Sequence, residues 1–283
     1  MNRYDLKFNK THMKDSISVS GFTISYEKRV RTDKTILFLH HNSGSAAVWD
    51  AQWNDRRLAG YTLVRVDMPG QGASSHSLIP DTDYTLSGLG HVLAEIVDRL
   101  ELSNYVISAL SISTNIAGEA VRQLRGCRGL FMTGSSVIGD GITPEDILLP
   151  FQYGAALFEA NPGDEELRDY IKGLVNEGQE STIEALVAWY READQVLRPT
   201  LGKSIGAGNW SNEIDNLDAS RIPVVLVYGD QEQVIDRGYL EKARPGNWRK
   251  HVRVLEKAGH LANLDDPEAF TRLLAGFASE TLD

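Results

Sequence analysis

The sequence YVISALSISTNIAGEAVRQL, residues 105–124, decides the fold prediction. Its first six residues form an apolar run with the length of a buried strand. Residues 115–124 then carry apolar side chains at the spacing of an amphipathic helix. A short turn, SIST, joins the two segments. Because α/β sheets are built from strands that alternate with helices, this segment predicts a parallel strand and its crossover helix.

Further apolar runs of the same kind lie on both sides of this segment. They occupy residues 35–40, 61–67, 129–133, 224–228 and 252–255. Such runs are typical of strands covered by helices on both faces, and helical patterns occur at residues 86–100 and 267–278. Residues 16–29 alternate between apolar and polar around Gly21, which predicts a hairpin before the first run. The whole pattern predicts an α/β fold with a doubly wound, mostly parallel sheet.

One interval is far longer than a crossover requires. Residues 140–218 separate two predicted strands and carry helical patterns at 145–159, 164–176 and 181–196. We therefore predict an α/β core formed by residues 1–139 and 219–283, with residues 140–218 inserted as a helical cap. Long insertions often carry substrate contacts. Aromatic side chains of the insertion could line a substrate site or simply pack the cap against the sheet; they include Phe151, Tyr153, Phe158 and Trp189.

Composition and charge limit the classes of partner. The chain has 283 residues, with 39 acidic and 29 basic side chains and a net charge of -10. Repulsion of phosphate groups argues against nucleic acid and membrane surfaces as partners. The single cysteine, Cys127, excludes an internal disulfide. The first 16 residues are polar and do not have the apolar stretch expected of a secretory signal, and no apolar run reaches the roughly 18 residues of a membrane helix. We expect a cytoplasmic protein with a small-molecule substrate; the sequence carries no signal for an oligomeric state.

Two serines are candidate nucleophiles. Residues 202–206, GKSIG, form the only G-x-S-x-G pattern, but Ser204 has loop-like sequence on both sides. A nucleophile elbow needs a strand before the serine and a helix after it, and Ser111 has that context. Its neighbours Ala109 and Ser113 are small, as the tight turn requires. The alternative is that Ser111 only caps the following helix.

Polar residues at other strand ends complete a candidate site. The backbone N–H groups of Asn42 and Ile112 could bind a developing oxyanion. His260, just after the last predicted strand, is placed to act as a base. The segment GDQE, residues 229–232, follows the preceding strand and supplies the acid, Glu232, in the order Ser111, Glu232, His260.

Two other motifs do not predict cofactor sites. Adjacent side chains such as His40 and His41 diverge, and no HxH or HExxH spacing accompanies them, so we expect no metal site. The loop DMPGQGAS, residues 67–74, fails as a dinucleotide fingerprint because Pro69 interrupts the turn. We therefore expect a structural loop there and no cofactor.

The residues quoted above carry a resemblance to the α/β-hydrolase superfamily over nearly the whole chain outside the predicted cap. The matching stretches are LFLHHNSGSAAVW, VDMPGQGAS, ISALSIST, VYGDQEQV and EKAGHLANLDDPEAF. Within the superfamily the sequence is most similar to serine-type N-acyl-homoserine lactonases and related small-ester hydrolases. That similarity rests on GLFMTGSSV, READQVLRPTLGKSIGAGNWSNEI and PGNW. Two departures are His41 in place of a glycine and an elbow without its two glycines.

The resemblance implies a metal-free serine hydrolase that cleaves a carboxylic ester or lactone, with N-acyl-homoserine lactone as the leading candidate. Ser111 would be the nucleophile, His260 the base and Glu232 the acid, since the family places the acid three residues after Gly229. Asp230 would then support the turn. The residues expected to contact substrate are His41, Phe151, Tyr153 and Trp189. The alternatives are C–C bond hydrolysis or perhydrolysis on the same triad, or a non-catalytic protein that binds a small ligand.

Overall fold

The computed structural model describes residues 12–150, 154–176, 180–240 and 252–282. Within these ranges eight strands form one sheet. The strands are β1 (His12–Val19), β2 (Phe22–Arg29), β3 (Thr35–Leu39), β4 (Thr62–Val66), β5 (Tyr105–Leu110), β6 (Cys127–Thr133), β7 (Val224–Gly229) and β8 (Val252–Leu255). Their order in the sheet is β1-β2-β4-β3-β5-β6-β7-β8. Only the β1–β2 and β2–β4 pairs are antiparallel, so the predicted doubly wound, mostly parallel sheet is confirmed.

The first two strands form the hairpin that the alternating sequence predicts. Val19 pairs with Phe22, which leaves a two-residue turn of Ser20 and Gly21. Both turn residues have positive φ, 48° and 84°. This is the backbone of the turn that matches the twist of a hairpin, and glycine adopts it without strain.

Helices cover the sheet and connect its parallel strands. They are α1 (Asp50–Asn54), α2 (Pro80–Asp83), α3 (Leu86–Arg99), α4 (Ile112–Ala120), α5 (Pro144–Ile147), α6 (Asp164–Lys172), α7 (Glu180–Glu192), α8 (Leu197–Gly206), α9 (Glu213–Ser220), α10 (Ala262–Asp265) and α11 (Pro267–Leu282). Short 3-10 helices occupy Ala46–Trp49, Arg56–Leu58 and Gly154–Leu157. Every residue of β3, β4 and β5 is buried, as expected of strands covered on both faces.

The insertion between β6 and β7 is helical, but its elements differ from the prediction in two places. The single helix predicted over residues 145–159 is wrong, because α5 ends at Ile147 and Leu148 forms an extended bridge with Ile235. The loop predicted around Ser204 is also wrong, since Ser204 is buried within α8. Ser204 still lacks the strand-turn-helix context of a nucleophile.

The last helix of the insertion, α9, contacts a helix that covers the sheet. Helix α9 packs against α4, where the Gly118 backbone lies close to Glu213. The predicted boundary at residue 218 falls inside α9. The division of the chain into core and cap stays a prediction.

Candidate active site

Ser111 lies at the carboxyl end of β5, directly before α4. Its backbone has φ 52° and ψ -125°, a conformation that is strained for any residue except glycine. Its N–H donates to the carbonyl of Thr133 at the end of the neighbouring strand, at 2.8 Å. The side chain makes no capping hydrogen bond to α4. The strained turn therefore presents the hydroxyl at the sheet edge, while Ser113 is buried and donates to the His40 carbonyl.

The structure brings the three predicted triad residues together. Ser111 Oγ lies 2.8 Å from His260 Nε2. On the other side of the ring, His260 Nδ1 lies 2.8 Å and 3.0 Å from the two carboxylate oxygens of Glu232. With Nδ1–H donated to Glu232, Nε2 carries the lone pair and can accept the Ser111 proton. In such a series the imidazole can accept the serine proton while the carboxylate orients the ring.

The Glu232 carboxylate is held as an anion next to His260. Its Oε1 atom accepts hydrogen bonds from the backbone N–H groups of Val234, at 2.8 Å, and Ile235, at 3.2 Å. Burial alone would raise the pKa of Glu232, but the charge and hydrogen bond of His260 and the two N–H groups lower it below its usual value. Asp230 takes a different part, because its carboxylate accepts from the Ala258 N–H at 3.3 Å and joins two loops.

Two glycines make this arrangement possible. A Cβ atom on Gly229 would lie 1.8 Å from the Ala258 carbonyl oxygen, so only glycine lets the acid loop and the His260 loop pass this closely. A Cβ atom on Gly134, which has φ 57°, would lie 2.6 Å from Cε1 of His260. Sequence reasoning used Gly229 only as a strand-end marker and missed Gly134, whose role depends on a contact 126 positions away.

Asn42, the first of the two predicted oxyanion donors, lies in the loop after β3. Asn42 and Ile112 border the same cavity as Ser111. Among the described residues, neither backbone N–H has a hydrogen-bond acceptor. The Asn42 side chain donates to the Leu157 carbonyl at 3.0 Å, and the Ser43 N–H donates to Gln71 Oε1 at 2.6 Å. These contacts fix the loop, and both N–H groups remain available to a ligand.

The structural role expected for the residue 67–74 loop fits the observed contacts, and His40 takes part in them. His40 Nε2 accepts from the Met68 N–H at 2.9 Å, and Nδ1 donates to the His41 carbonyl at 2.7 Å. The Asp67 carboxylate accepts from the N–H groups of Ala46, at 2.7 Å, and Ala73, at 3.0 Å. These side chains tie the two loops together.

A cavity of about 690 Å³, part of it open to solvent, lies over Ser111. Its polar end contains His41, Asn42, Ser111, Asn115, Ser136 and His260. The remaining wall is largely apolar and comes mostly from the insertion; it contains Ile112, Ile138, Pro144, Ile147, Leu148, Leu157, Phe158, Tyr170, Leu174, Ile205, Val234 and Ile235. The cavity thus combines a large apolar wall with the polar groups around Ser111.

The predicted substrate contacts have different positions relative to this cavity. His41 lines it, and burial, followed by the nearby His40 and His260, lowers the His41 pKa to about 3. Phe151 and Tyr153 lie outside the described residues. Trp189 is half-buried against the hydrophobic core and is absent from the described cavity wall, whereas Phe158 is part of that wall.

The described residues provide neither a metal cluster nor a membrane-spanning helix. Over the described ranges, no group of three or more His, Cys, Asp or Glu side chains could hold a metal ion. None of the helices that the structure describes combines the length and apolar character needed to cross a membrane.

Comparison with known proteins places this geometry in a family. The chain is 21% identical to a mutant of the N-acyl homoserine lactonase AidH complexed with N-hexanoyl homoserine lactone, with a TM-score of 0.86 over 95% of this chain and 98% of that one. It is 18% identical to the esterase EaEST from Exiguobacterium antarcticum, with a TM-score of 0.77 over 94% and 100% of the two chains. At these identities the likeness shows a shared fold.

A curated relative and a family match complete the comparison. The dihydrolipoyllysine-residue acetyltransferase component of the acetoin cleaving system of Cupriavidus necator is 25% identical over 264 residues, which are 90% of this chain. The match spans 66% of that relative, just under two thirds of its length. The family described as "Alpha/beta hydrolase family" matches residues 36–273. Since this match covers most of the chain, the protein belongs to the Alpha/beta hydrolase family.

Proposed function

We propose that this protein is a serine hydrolase of carboxylic esters or lactones. The observation that carries the proposal is the hydrogen-bonded series from Ser111 Oγ through His260 to Glu232, with distances of 2.8 Å at both steps. A serine hydroxyl is a weak nucleophile at neutral pH unless a base accepts its proton. The strained backbone of Ser111 and its place at the cavity floor support the same role.

The residues suggest a sequence of proton and bond changes. Ser111 Oγ attacks the carbonyl carbon as His260 Nε2 takes the hydroxyl proton, and Glu232 stabilises the imidazolium. The tetrahedral oxyanion accepts from the N–H groups of Asn42 and Ile112, each worth roughly 3–4 kcal/mol. His260 then protonates the leaving alkoxide as the C–O bond breaks. Water then attacks the acyl carbon as His260 takes its proton. The bond to Ser111 Oγ breaks, His260 returns the proton to Oγ, and the carboxylic acid leaves. These steps require no metal or cofactor.

The cavity supports a substrate with an apolar acyl chain. Its apolar wall would gain up to about 0.8 kcal/mol for each methylene removed from water. His41 remains a candidate substrate contact at the polar end. N-acyl-homoserine lactone is our leading candidate, supported by the fold shared with a lactonase complexed with N-hexanoyl homoserine lactone. C–C bond hydrolysis, perhydrolysis and non-catalytic ligand binding remain the alternatives.

The proposal is tested with a panel of esters and lactones and a fluorophosphonate probe. We expect the wild-type protein to hydrolyse members of the panel and to be labelled at Ser111. The Ser111→Ala variant should lose both properties with little change in Tm, whereas Ser204→Ala, which removes another buried serine hydroxyl, should keep both. Loss of activity in Ser204→Ala alone would overturn the nucleophile assignment. Absence of labelling and of all turnover in the wild type would favour a binding protein.

A further inference from the structure

One wall of the cavity carries two polar residues that the triad does not use, Asn115 and Ser136. Asn115 lies on α4 four residues after Ser111, and both residues border the same cavity. Ser136 lies in the loop that follows β6. The pair therefore borders the same space as the proposed nucleophile.

The orientation of the Asn115 amide is fixed by its partners. Asn115 Nδ2 lies 2.7 Å from the Ser136 carbonyl oxygen and 2.9 Å from Glu213 Oε2. Glu213 Oε2 also accepts from the Ile138 N–H at 2.9 Å, so it acts as an acceptor. A flipped amide would place Asn115 Oδ1 against two acceptors. The NH2 group must therefore face Ser136 and Glu213.

This orientation determines what Ser136 offers to the cavity. Asn115 Oδ1 lies 2.6 Å from Ser136 Oγ and has no proton to donate. The single hydroxyl proton of Ser136 is therefore committed to Asn115, and only lone pairs remain on Oγ. A ligand group that meets this oxygen has to supply an N–H or an O–H.

Glu213 holds the pair from behind, fully buried on α9. Its Oε1 atom has no hydrogen-bond partner in the described part of the chain. Burial raises the pKa of Glu213 well above its usual value, against the hydrogen bonds from Ile138 and Asn115. A protonated carboxyl keeps one acceptor oxygen for Asn115 and places no charge behind the cavity wall.

We propose that Ser136, oriented by Asn115 and Glu213, binds a hydrogen-bond donor of the substrate and selects esters or lactones that carry an N–H or O–H near the scissile carbonyl. The inference rests on the proposed hydrolase function and narrows its substrate class. An acylamino group on the carbon next to the carbonyl supplies such a donor two bonds from the carbonyl carbon. An ester oxygen at the same place has no proton to donate, so its lone pairs would repel those of Ser136 Oγ.

Two lactones with the same acyl chain test this inference, an α-acylamino-γ-butyrolactone and its α-acyloxy analogue. We expect wild-type kcat/KM to favour the acylamino lactone by about tenfold, the size of one hydrogen bond gained and one lone-pair contact avoided. Ser136→Ala should reduce this ratio toward one, mainly by slowing the acylamino substrate. Ser136→Thr keeps the hydroxyl and should retain the preference. Ser204→Ala is the matched control, because Ser204 is outside the described cavity wall.

The outcomes separate this inference from the proposed function. If the wild type hydrolyses both lactones equally, or if Ser136→Ala keeps the full preference, the selection by Ser136 is wrong while the serine hydrolase remains. If the wild type hydrolyses no ester or lactone and no probe labels Ser111, the proposed function fails and this inference fails with it.

Discussion

Arg198 Nη1 donates a 2.9 Å hydrogen bond to Ser43 Oγ, and this contact joins helix α8 of the insertion to the loop that carries Asn42. The Arg198 side chain is buried, with its guanidinium carbon 3.8 Å from the centroid of the Tyr190 ring. Nη1 also donates to the Tyr190 carbonyl at 3.1 Å, Nε donates to the Glu159 carbonyl at 2.7 Å, and Nη2 donates to the Ala160 carbonyl at 2.5 Å. A buried cation satisfied in this way resists rearrangement, since each lost acceptor leaves an uncompensated donor.

We expect Ser43→Ala to lower kcat about tenfold and to change KM by less than about twofold. Loss of the Arg198 contact would let the neighbouring Asn42 N–H move from the oxyanion position, and oxyanion stabilisation acts in the transition state. Steady-state kinetics with a preferred ester measure the two constants. If Ser43 and Arg198 affect kcat through their shared hydrogen bond, the double variant Ser43→Ala/Arg198→Lys should lower kcat by less than the two single effects combined. A change confined to KM would contradict this role.

We expect Glu232→Gln to lower kcat by a factor on the order of 10³–10⁴, because a neutral amide cannot stabilise the imidazolium of His260. Asp230→Ala removes only the 3.3 Å contact with the Ala258 N–H. It should cost about 1 kcal/mol of stability and leave kcat within about tenfold. Kinetics and thermal melting of the two variants, measured side by side, distinguish the carboxylates. A larger kcat loss in Asp230→Ala would reverse their assignment.

Stability should depend on pH through His41. In the folded protein burial lowers the His41 pKa to about 3 from an ordinary value of 6.5. Between these pH values the unfolded chain binds a proton at His41 that the folded protein does not bind. The stabilisation that comes from a neutral His41 is therefore fully present above pH 6.5 and is lost as the pH falls toward 3. In this range the free energy of unfolding changes by up to about 1.4 kcal/mol per pH unit because of His41.

His41→Gln should therefore flatten the acid side of the stability curve. Urea unfolding of the wild type and the variant between pH 7 and pH 4 measures the difference in slope. His91, whose side chain is 62% exposed, provides the surface control as His91→Gln. Parallel curves for wild type and His41→Gln would show that His41 is not kept neutral by burial.

Much of the fold, and the proximity of the three proposed triad residues, could be predicted from the sequence because the signals are local. The apolar runs before Ser111 and Glu232 mark buried strands, whereas most of β8, the strand before His260, is exposed. Parallel strands bring their carboxyl ends to one sheet edge, which places the three residues near one another. The helix predicted over residues 145–159 is wrong because a long-range bridge between Leu148 and Ile235 holds the chain extended at Leu148. A single sequence carries no signal for such a pairing.

The same limit applies to the residues around the triad. Asn115 meets Glu213 across 98 positions, and Ser43 meets Arg198 across 155. Neither pair has a sequence motif, so both are visible only in the folded chain. The oxyanion donors, the cytoplasmic location and the boundaries at residues 139 and 218 stay predictions.

The apolar cavity wall can be tested through Gly202, which lies on α8 beside Phe158. A Cβ atom at Gly202 would lie 2.8 Å from Phe158 Cγ, closer than carbon atoms pack, so the ring would have to shift. Because Phe158 lines the cavity, we expect Gly202→Ala to displace the ring toward it and shorten the acyl site. Each methylene of the acyl chain that no longer reaches the apolar wall would reduce the favourable binding free energy by up to about 0.8 kcal/mol.

The measurement is kcat/KM for a series of p-nitrophenyl esters from acetyl to octanoyl. Gly202→Ala should lower the octanoyl-to-acetyl ratio about tenfold, since two excluded methylenes account for that change. Gly206→Ala is the matched control, because it lies on the same helix and a Cβ atom there meets nothing within 4 Å. Both variants replace a glycine of α8 by alanine, which has the higher helix propensity. A change in chain-length profile shared by both variants would therefore come from the helix and not from Phe158. An unaltered chain-length profile in Gly202→Ala would mean that the acyl chain does not contact this wall.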